Sequence, residues 1–346
     1  MAAFIKGKEL CRGFFEQVAK PILDRGFPGL EYSAGLLGYG SDVLGYDDAV
    51  STDHMWGPRF YLFLREEDKA LQPHILEAFS QEFPYTYRGY SVHFSRPDPN
   101  DKGIRHAEAI TQGQVDPLIF FHTFEEYLDF YLGTHHPETL TDVEWLSLPE
   151  HHLLALAKAE FYVDMLHCQE RLEPLRFYPE NVWLYLVASC WSLVAEEQAF
   201  VKRCASVGDS LGSALVCGRI AERLMRLCFL YCRQYAPYSK WFGTAFQQLP
   251  IPQELKDAIG AAVAATDTAQ REDDPSAGPA AHRPAPQQPG RHRGCPRGDC
   301  ALLWPGHPGH LRGQDCPHRA GARAGRFGQR PADWLFKPGG KLHHLV

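Results

Sequence analysis

A Gly-Ser pair and four aspartates precede an apolar run in the stretch GYGSDVLGYDDAVSTDHMWGPRFYLFL (38–64). Gly40 and Ser41 follow a short apolar segment, so they predict a turn that exposes backbone N–H groups and one hydroxyl where a helix begins. A phosphate group binds well at such a place because the N–H groups point toward it. We therefore predict that Gly40 and Ser41 bind the phosphates of a nucleotide.

Asp53 stands twelve residues after Ser41, ahead of an apolar segment that predicts a strand. This layout resembles that of nucleotidyltransferases of the polymerase-beta type, in which a Gly-Ser turn is followed by Asp-x-Asp on the next strand. Two carboxylates at alternate strand positions share one face and together hold Mg²⁺. The resemblance implies that Asp53 is a catalytic residue and a magnesium ligand.

Met55 stands where the second carboxylate of that motif is expected. A thioether is a poor ligand for Mg²⁺, which prefers oxygen. The predicted third strand, 85–95, adds no acidic residue. A second oxygen ligand must therefore come from the loop.

Three loop aspartates, Asp42, Asp47 and Asp48, are candidates for this second ligand. We take Asp48 as the partner of Asp53 in catalysis and in magnesium binding. The alternative is that Asp53 caps a turn and His54 forms only a local hydrogen bond, because short motifs often occur without their function.

Three basic residues are predicted to neutralise the phosphates: Arg59, Arg226 and Lys240. Guanidinium groups suit phosphate oxygens, although an arginine in an acidic protein can equally form an ordinary salt bridge. Lys240 lies within the aromatic segment YAPYSKWF (235–242), so it predicts either a phosphate contact or a cation–π pair.

The composition indicates a globular protein with a sizeable core, because 45% of the 346 residues are hydrophobic and 12% are aromatic. The net charge of the chain is −7. Residues 269–346 hold ten Arg and two Lys against six Asp and Glu, so the first 268 residues have a net charge of −13. An acidic body argues against general binding to nucleic acid. The chain has no long apolar segment and no export signal, so we expect a cytoplasmic protein that does not enter a membrane.

Hydrophobic periodicity predicts an α+β protein. A small nucleotidyltransferase-like α/β sheet domain (1–110) precedes a helical domain (111–266). The first domain is predicted to contain strands within 32–41, at 59–64 and at 85–95, and helices at 5–25 and 69–83. The second domain is predicted to contain helices at 116–132, 149–163, 179–205, 209–234 and 252–266.

Distinctive sequence runs indicate a family. They are the run Asp-His-x-Trp-Gly-Pro-Arg at 53–59, the glycines of GDSLGS at 208–213, and the aromatic segment 235–242. With these runs, residues 1–266 resemble a mainly bacterial family, domain-of-unknown-function family 4037. The resemblance implies a nucleotidyltransferase-like fold and no established activity.

The last 80 residues, 267–346, differ from the rest of the chain in composition. Residues 269–346 hold eleven Pro and twelve Gly, but no Ile or Tyr. Such a segment has little to pack, so we predict a disordered tail. Its Cys and His residues match no standard zinc module. The abrupt change after a helix is typical of a gene read out of frame or of a replaced terminus.

Three functions are consistent with these features. The first is a magnesium-dependent nucleotidyltransferase that acts on a small molecule or an RNA end. The second is a catalytically degenerate relative that binds a nucleoside triphosphate without chemistry. The third is a helical protein-interaction module with an inactive α/β domain.

Overall fold

The computed structural model describes residues 4–38, 40–52 and 55–265. Asp53 and the predicted tail, 267–346, lie outside the described residues. The helices are α1 (Gly7–Phe14), α2 (Lys20–Gly26), α3 (Ser41–Leu44), α4 (Gln72–Glu82), α5 (Phe124–Leu132), α6 (Asp142–Ser147), α7 (Glu150–Ala157), α8 (Cys168–Leu172), α9 (Glu180–Ser206), α10 (Ser210–Tyr231), α11 (Ser239–Gln248) and α12 (Gln253–Ala264). The strands are β1 (Tyr32–Leu36), β2 (Arg59–Leu64), β3 (Thr86–Tyr87), β4 (Tyr90–Ser91), β5 (Leu118–His122) and β6 (Glu160–Asp164).

Four strands form a mixed sheet in the order β5-β2-β1-β6. Strand β1 is antiparallel to both β2 and β6, whereas β2 is parallel to β5. The two central strands are buried along their whole length. The predicted α+β class is therefore confirmed.

The first helical segment, predicted at 5–25, packs on this sheet. It consists of α1, one π-helical turn over Phe15–Ala19, and α2. Leu10, Phe14 and Phe15 are fully buried, and both phenylalanine rings contact the ring of Phe60 on β2. These aromatic contacts hold the segment against the strand that leaves the Gly-Ser loop.

Two of the predicted helices are wrong in part, because each contains a strand of the sheet. The range 116–132 begins with β5, which pairs with β2, and the range 149–163 ends with β6, which pairs with β1. Short apolar runs fit a buried strand as well as a buried helix, so periodicity does not separate them. The sheet therefore takes strands from both sides of residue 110, where the sequence predicts a domain boundary.

The predicted strand at 85–95 is also wrong. Strands β3 and β4, of two residues each, form a hairpin there that is separate from the main sheet. Arg88 and Gly89, between them, both have positive φ (48° and 86°), as a tight hairpin turn requires. The strand beside β2 in the main sheet is β5 instead.

The two longest helices, α9 and α10, pack against each other and confirm the predicted ranges to within a few residues. Trp183 near the start of α9 donates a hydrogen bond from Nε1 to the Leu230 carbonyl oxygen near the end of α10, at 2.9 Å. The two helices therefore run antiparallel. Within the part of the chain that the structure describes, every helix is too short or too polar to cross a bilayer.

Candidate functional site

The Gly-Ser turn joins β1 to α3, as the sequence predicts. Gly40 precedes the helix with φ 138° and ψ 151°, a conformation that other residues rarely adopt. A Cβ atom at this position would lie 2.1 Å from Asp42 Oδ1, so a larger residue cannot be accommodated unless Asp42 moves. The Ser41 hydroxyl does not cap the helix, but donates a hydrogen bond to the Ser51 carbonyl oxygen at 3.4 Å.

Asp42 and Arg59 form a buried ion pair behind this turn. Arg59 Nη2 lies 2.9 Å from Asp42 Oδ2 and 3.0 Å from Oδ1, and only 2% and 4% of the Asp42 and Arg59 side-chain surfaces are exposed. Burial opposes the charge of Arg59, but the neighbouring Asp42 carboxylate, together with Cys11 and Tyr61, raises the pKa of Arg59. The arginine predicted to bind phosphate is thus paired with a loop aspartate.

Asp47 is a second structural aspartate. Its Oδ2 accepts hydrogen bonds from the Gly7 amide at 2.7 Å and from Trp56 Nε1 at 3.1 Å. It therefore ties the loop to the start of α1 and to the segment that precedes β2. Of the three candidate loop aspartates, these contacts leave Asp48 as the exposed one.

Ser51 brings together three residues that the sequence predicts for the site. Its carbonyl oxygen accepts the Ser41 hydroxyl, its backbone N–H donates to Asp48 Oδ1 at 2.8 Å, and its Oγ accepts Lys240 Nζ at 3.2 Å. We call Ser41, Asp48, Ser51 and Lys240 the Ser51 junction. It joins residues of one loop to a lysine 189 positions later in the chain.

Asp48 is ionised at the Ser51 junction. Hydrogen bonds from the backbone of Ser51 and Val50, and the charge of Lys240, lower the pKa of its carboxyl group. Both backbone bonds reach Oδ1. The carboxylate is therefore a fixed, exposed negative charge beside a lysine.

Lys240 forms a cation–π pair, one of the two predicted alternatives, and also a hydrogen bond to the loop. Its ammonium lies 4.9 Å from the centre of the Trp241 ring and also donates to Ser51. Trp241 stacks on Tyr46 of the loop with ring centres 5.6 Å apart. The aromatic segment 235–242 thus holds the loop and orients Lys240 over it.

A cavity of about 390 Å³ opens beside the Gly-Ser turn. We call it the turn cavity. Its lining includes Gly38, Gly40, Met55, His151, Ala155 and Tyr238. Ser41 directly follows Gly40, and Lys240 stands two residues after Tyr238. Since Gly40 and Tyr238 line the turn cavity, the Ser51 junction adjoins it. Burial and the neighbouring His152 lower the pKa of His151.

Met55 does not lie on a strand, which corrects the predicted Asp-x-Asp geometry. Strand β2 begins at Arg59, and Met55 has φ 49°, a left-handed conformation unusual for a side chain of this type. Position 55 is therefore not on a strand face. Met55 lines the turn cavity instead of occupying a ligand position.

Arg226 is engaged by two glutamates. Its guanidinium contacts Glu150 Oε2 at 3.1 Å and Glu222 Oε1 at 3.1 Å, and lies 5.3 Å from the centre of the Phe242 ring. Glu150 also accepts the Ala236 amide at 2.9 Å, and burial raises the pKa of its carboxyl group. Arg226 thus connects α10 to the start of α7.

Asp48 does not belong to a larger cluster of metal-ligating side chains among the described residues. No three His, Cys, Asp or Glu side chains within 4–38, 40–52 and 55–265 are grouped so that they could hold a metal ion. Asp42 and Asp47 are engaged in the loop, which leaves Asp48 as the exposed loop carboxylate. The predicted partner of Asp48, Asp53, lies outside the described residues.

The sequence alone does not predict the roles of Ser51 and Tyr238. Ser51 acts mainly through its backbone and through a distant lysine, and no local pattern marks such a contact. Tyr238 lies in the aromatic segment 235–242, but its position beside the turn cavity depends on the packing of that segment against the loop.

The fold and the site define an α+β protein with a Gly-Ser turn, an exposed aspartate and a lysine beside a cavity. Residues 145–242 match the family model described as Domain of unknown function (DUF4037), which confirms the predicted family over that range. The matched range includes His151, Tyr238 and Lys240 at the site and excludes the Gly-Ser turn. A comparison with curated proteins gave no match.

Proposed function

We propose that the protein binds a nucleoside triphosphate, with its phosphates at the Ser51 junction and the rest of the molecule in the adjoining cavity. The observation that carries this proposal is the contact between Lys240 and Ser51. It brings a cation to the Gly-Ser turn from a distant part of the chain. The turn between β1 and β2 of a mixed sheet also supports a nucleotidyltransferase-like fold as part of the proposal.

Lys240 is the cation best placed to meet the phosphates. The charge of Arg59 is compensated by Asp42 within the protein, and that of Arg226 by Glu150 and Glu222. An exposed lysine binds phosphate as a point charge and can exchange the Ser51 hydroxyl for a phosphate oxygen. The Ser41 hydroxyl, which makes one long hydrogen bond, can do the same.

A second candidate function is magnesium-dependent nucleotidyl transfer to a small molecule or an RNA end. The exposed carboxylate of Asp48 favours it, because an ionised acid beside Lys240 repels phosphates unless a cation lies between them. Asp53 would be the second ligand. Magnesium would then supply charge neutralisation at the phosphates, and Lys240 would hold them in place.

The two candidates are separated by calorimetric titration of nucleoside triphosphates with and without Mg²⁺, on the full chain and on Asp53→Asn and Asp48→Asn. Binding without metal that persists in both variants supports the first candidate. Binding that requires Mg²⁺ and is lost in both variants supports the second. Circular dichroism melting of each variant establishes that the fold is retained.

Transfer itself is tested with an α-phosphate-labelled triphosphate and mixtures of small alcohols or short RNA. Label that reaches an acceptor in the wild type but not in Asp53→Asn establishes the transferase. Absence of binding in both conditions overturns both candidates and leaves the helical interaction module as the remaining hypothesis.

A further inference from the structure

A second cavity, of about 290 Å³, lies against the main sheet near the turn cavity. We call it the aromatic cavity. Its lining includes Tyr61, Phe120, His122, Tyr127, Tyr131 and Met55. Met55 also lines the turn cavity, so the two cavities share one wall residue. A ligand that reaches from one cavity to the other would pass this methionine.

Two rings on neighbouring strands stack face to face in the aromatic cavity, and the outer face of the stack is a flat surface. Tyr61 of β2 and Phe120 of β5 are paired in register, and their rings stack with centres 4.6 Å apart and an angle of 22° between planes. The His122 ring is also nearly parallel to that of Tyr61, at 6.0 Å. A planar ring gains stacking energy on such a surface.

The Tyr127 hydroxyl supplies a second and independent sign of a ligand. It is buried beside the Tyr131 hydroxyl and the Gly38 backbone, and neither of these groups meets it at full hydrogen-bond geometry. A buried hydroxyl without a partner is costly, which makes such a group exceptional in a folded protein. Burial and the neighbouring hydroxyls of Tyr131 and Tyr61 raise the pKa of Tyr127 far above its ordinary value, so it remains a hydrogen-bond donor.

The other polar groups lie close to this hydroxyl. A Cβ atom placed on Gly38 would be 2.7 Å from Tyr61 Oη and 3.0 Å from Tyr131 Oη, so both hydroxyls lie under the Gly-Ser turn. Burial lowers the pKa of His122, which leaves an uncharged imidazole with one donor and one acceptor nitrogen. Apart from the Arg59 guanidinium, which is paired with Asp42, the aromatic cavity combines flat apolar faces with neutral hydrogen-bonding groups.

We infer that the aromatic cavity receives the base of the nucleoside triphosphate, stacked on the Tyr61–Phe120 surface and hydrogen-bonded to Tyr127. This inference rests on the proposed function, because the phosphates define the other end of the ligand. An aliphatic group would leave the Tyr127 hydroxyl unpaired. A quaternary ammonium also suits aromatic rings, but it would meet the Arg59 guanidinium, which lines the same cavity.

The test compares two adjacent phenylalanines of β5. Phe120 lines the aromatic cavity, whereas Phe121 points to the opposite face of the sheet and packs on the core. Phe120→Leu and Phe121→Leu each remove one phenyl ring from β5, but from opposite faces of the sheet. Each variant is titrated calorimetrically with the four ribonucleoside triphosphates and with inorganic tripolyphosphate, with and without Mg²⁺.

The expected result is that one or more nucleoside triphosphates bind at least about tenfold more tightly than tripolyphosphate. Phe120→Leu should lower that affinity by about tenfold and leave tripolyphosphate binding unchanged, whereas Phe121→Leu should change neither. Tyr127→Phe serves as a second variant. It should weaken nucleotide binding several-fold without lowering the melting temperature, because the hydroxyl has no partner among the described residues to lose.

Three outcomes separate this inference from the proposed function. Equal affinity for nucleotide and tripolyphosphate, unaffected by Phe120→Leu, overturns the base site and leaves phosphate binding standing. If neither binds, the four nucleosides are examined by saturation-transfer NMR. Nucleoside binding that depends on Phe120 then retains the aromatic site while the phosphate proposal fails, and absence of nucleoside binding overturns both.

Discussion

Two pairs of opposite charges flank the same Gly-Ser turn, and they differ in their access to water. Asp42 and Arg59 are buried and joined by three nitrogen-to-oxygen contacts of 2.9–3.2 Å. Asp48 and Lys240 are exposed, and they meet only through Ser51. The buried pair fixes the position of the loop, whereas the exposed pair can change partners when a ligand arrives.

The difference shows why the type of residue alone is a weak guide to function. All four side chains are charged, and the sequence makes all four candidates for phosphate or metal binding. A buried charge must keep its partner, because separation leaves it unsolvated. An exposed charge exchanges a weak contact for another at little cost.

The largest effect should follow from breaking the buried pair. Arg59→Met leaves the Asp42 carboxylate without its partner, so the free energy of unfolding should fall by about 3–5 kcal/mol. Urea denaturation followed by circular dichroism measures it. The double variant Asp42→Asn/Arg59→Met is the control, and it should be more stable than Arg59→Met because no unpaired charge remains. A loss below about 1 kcal/mol in Arg59→Met would contradict the structural role.

Removing the exposed cation should affect binding and not stability. Lys240→Met should weaken nucleoside triphosphate binding by about tenfold or more, the scale of one hydrogen bond to a charged group. The free energy of unfolding should change by less than about 1 kcal/mol. Lys202→Met, which removes an exposed lysine of α9, is the matched control and should leave the affinity unchanged. Equal affinities for both variants would remove Lys240 from the site.

The variant Arg226→Met tests whether the ion pairs of Arg226 keep this side chain from binding the nucleotide. Its side chain is 42% exposed and that of Glu150 is 24% exposed, so solvent screening reduces the value of the pair. Arg226→Met should lower the free energy of unfolding by less than about 1 kcal/mol. Its effect on triphosphate affinity should be smaller than that of Lys240→Met. A loss of binding as large as that of Lys240→Met would return Arg226 to the nucleotide site.

The smallest expected effect is the contribution of His122 to the pH dependence of the free energy of unfolding. Burial lowers its pKa in the folded protein, although the nearby Glu126 partly offsets this. The unfolded chain therefore takes up a proton first, at a pKa of about 6.5. The free energy of unfolding should decline as the pH falls from 7.5 through 6.5, and the decline should be shallower in His122→Asn. Identical pH dependence in both proteins would show that His122 does not carry this effect.

The sequence predicts local elements better than it predicts contacts. Strand β2 matches its predicted range, 59–64, because five consecutive apolar or aromatic residues between Arg59 and Arg65 leave little choice of structure. Hydrophobic periodicity does not separate strand β5 from the following helix, because only Thr123 lies between them. The Thr123 hydroxyl accepts the Glu126 amide while the Glu126 side chain accepts the Thr123 amide. This capping box marks the start of α5 and could have placed the boundary.

The site is predicted only in part, since its partners are distant in sequence. The Gly-Ser turn follows from the glycine and its neighbours, and its position after β1 is confirmed. The choice of Asp42 as the partner of Arg59, and of Ser51 as that of Lys240, depends on how the loop, β2 and α11 come together. No periodicity carries that information.

The contact between Ser51 and Lys240 also sets an order of events during synthesis of the protein. At translation rates of about 5–20 residues per second, Lys240 is made about 10–40 s after Ser51, because 189 residues separate them. During that interval the Gly-Ser loop has neither its lysine nor the Trp241 ring that stacks on Tyr46. The nascent chain therefore cannot complete the Ser51 junction until residues 240 and 241 have left the ribosome.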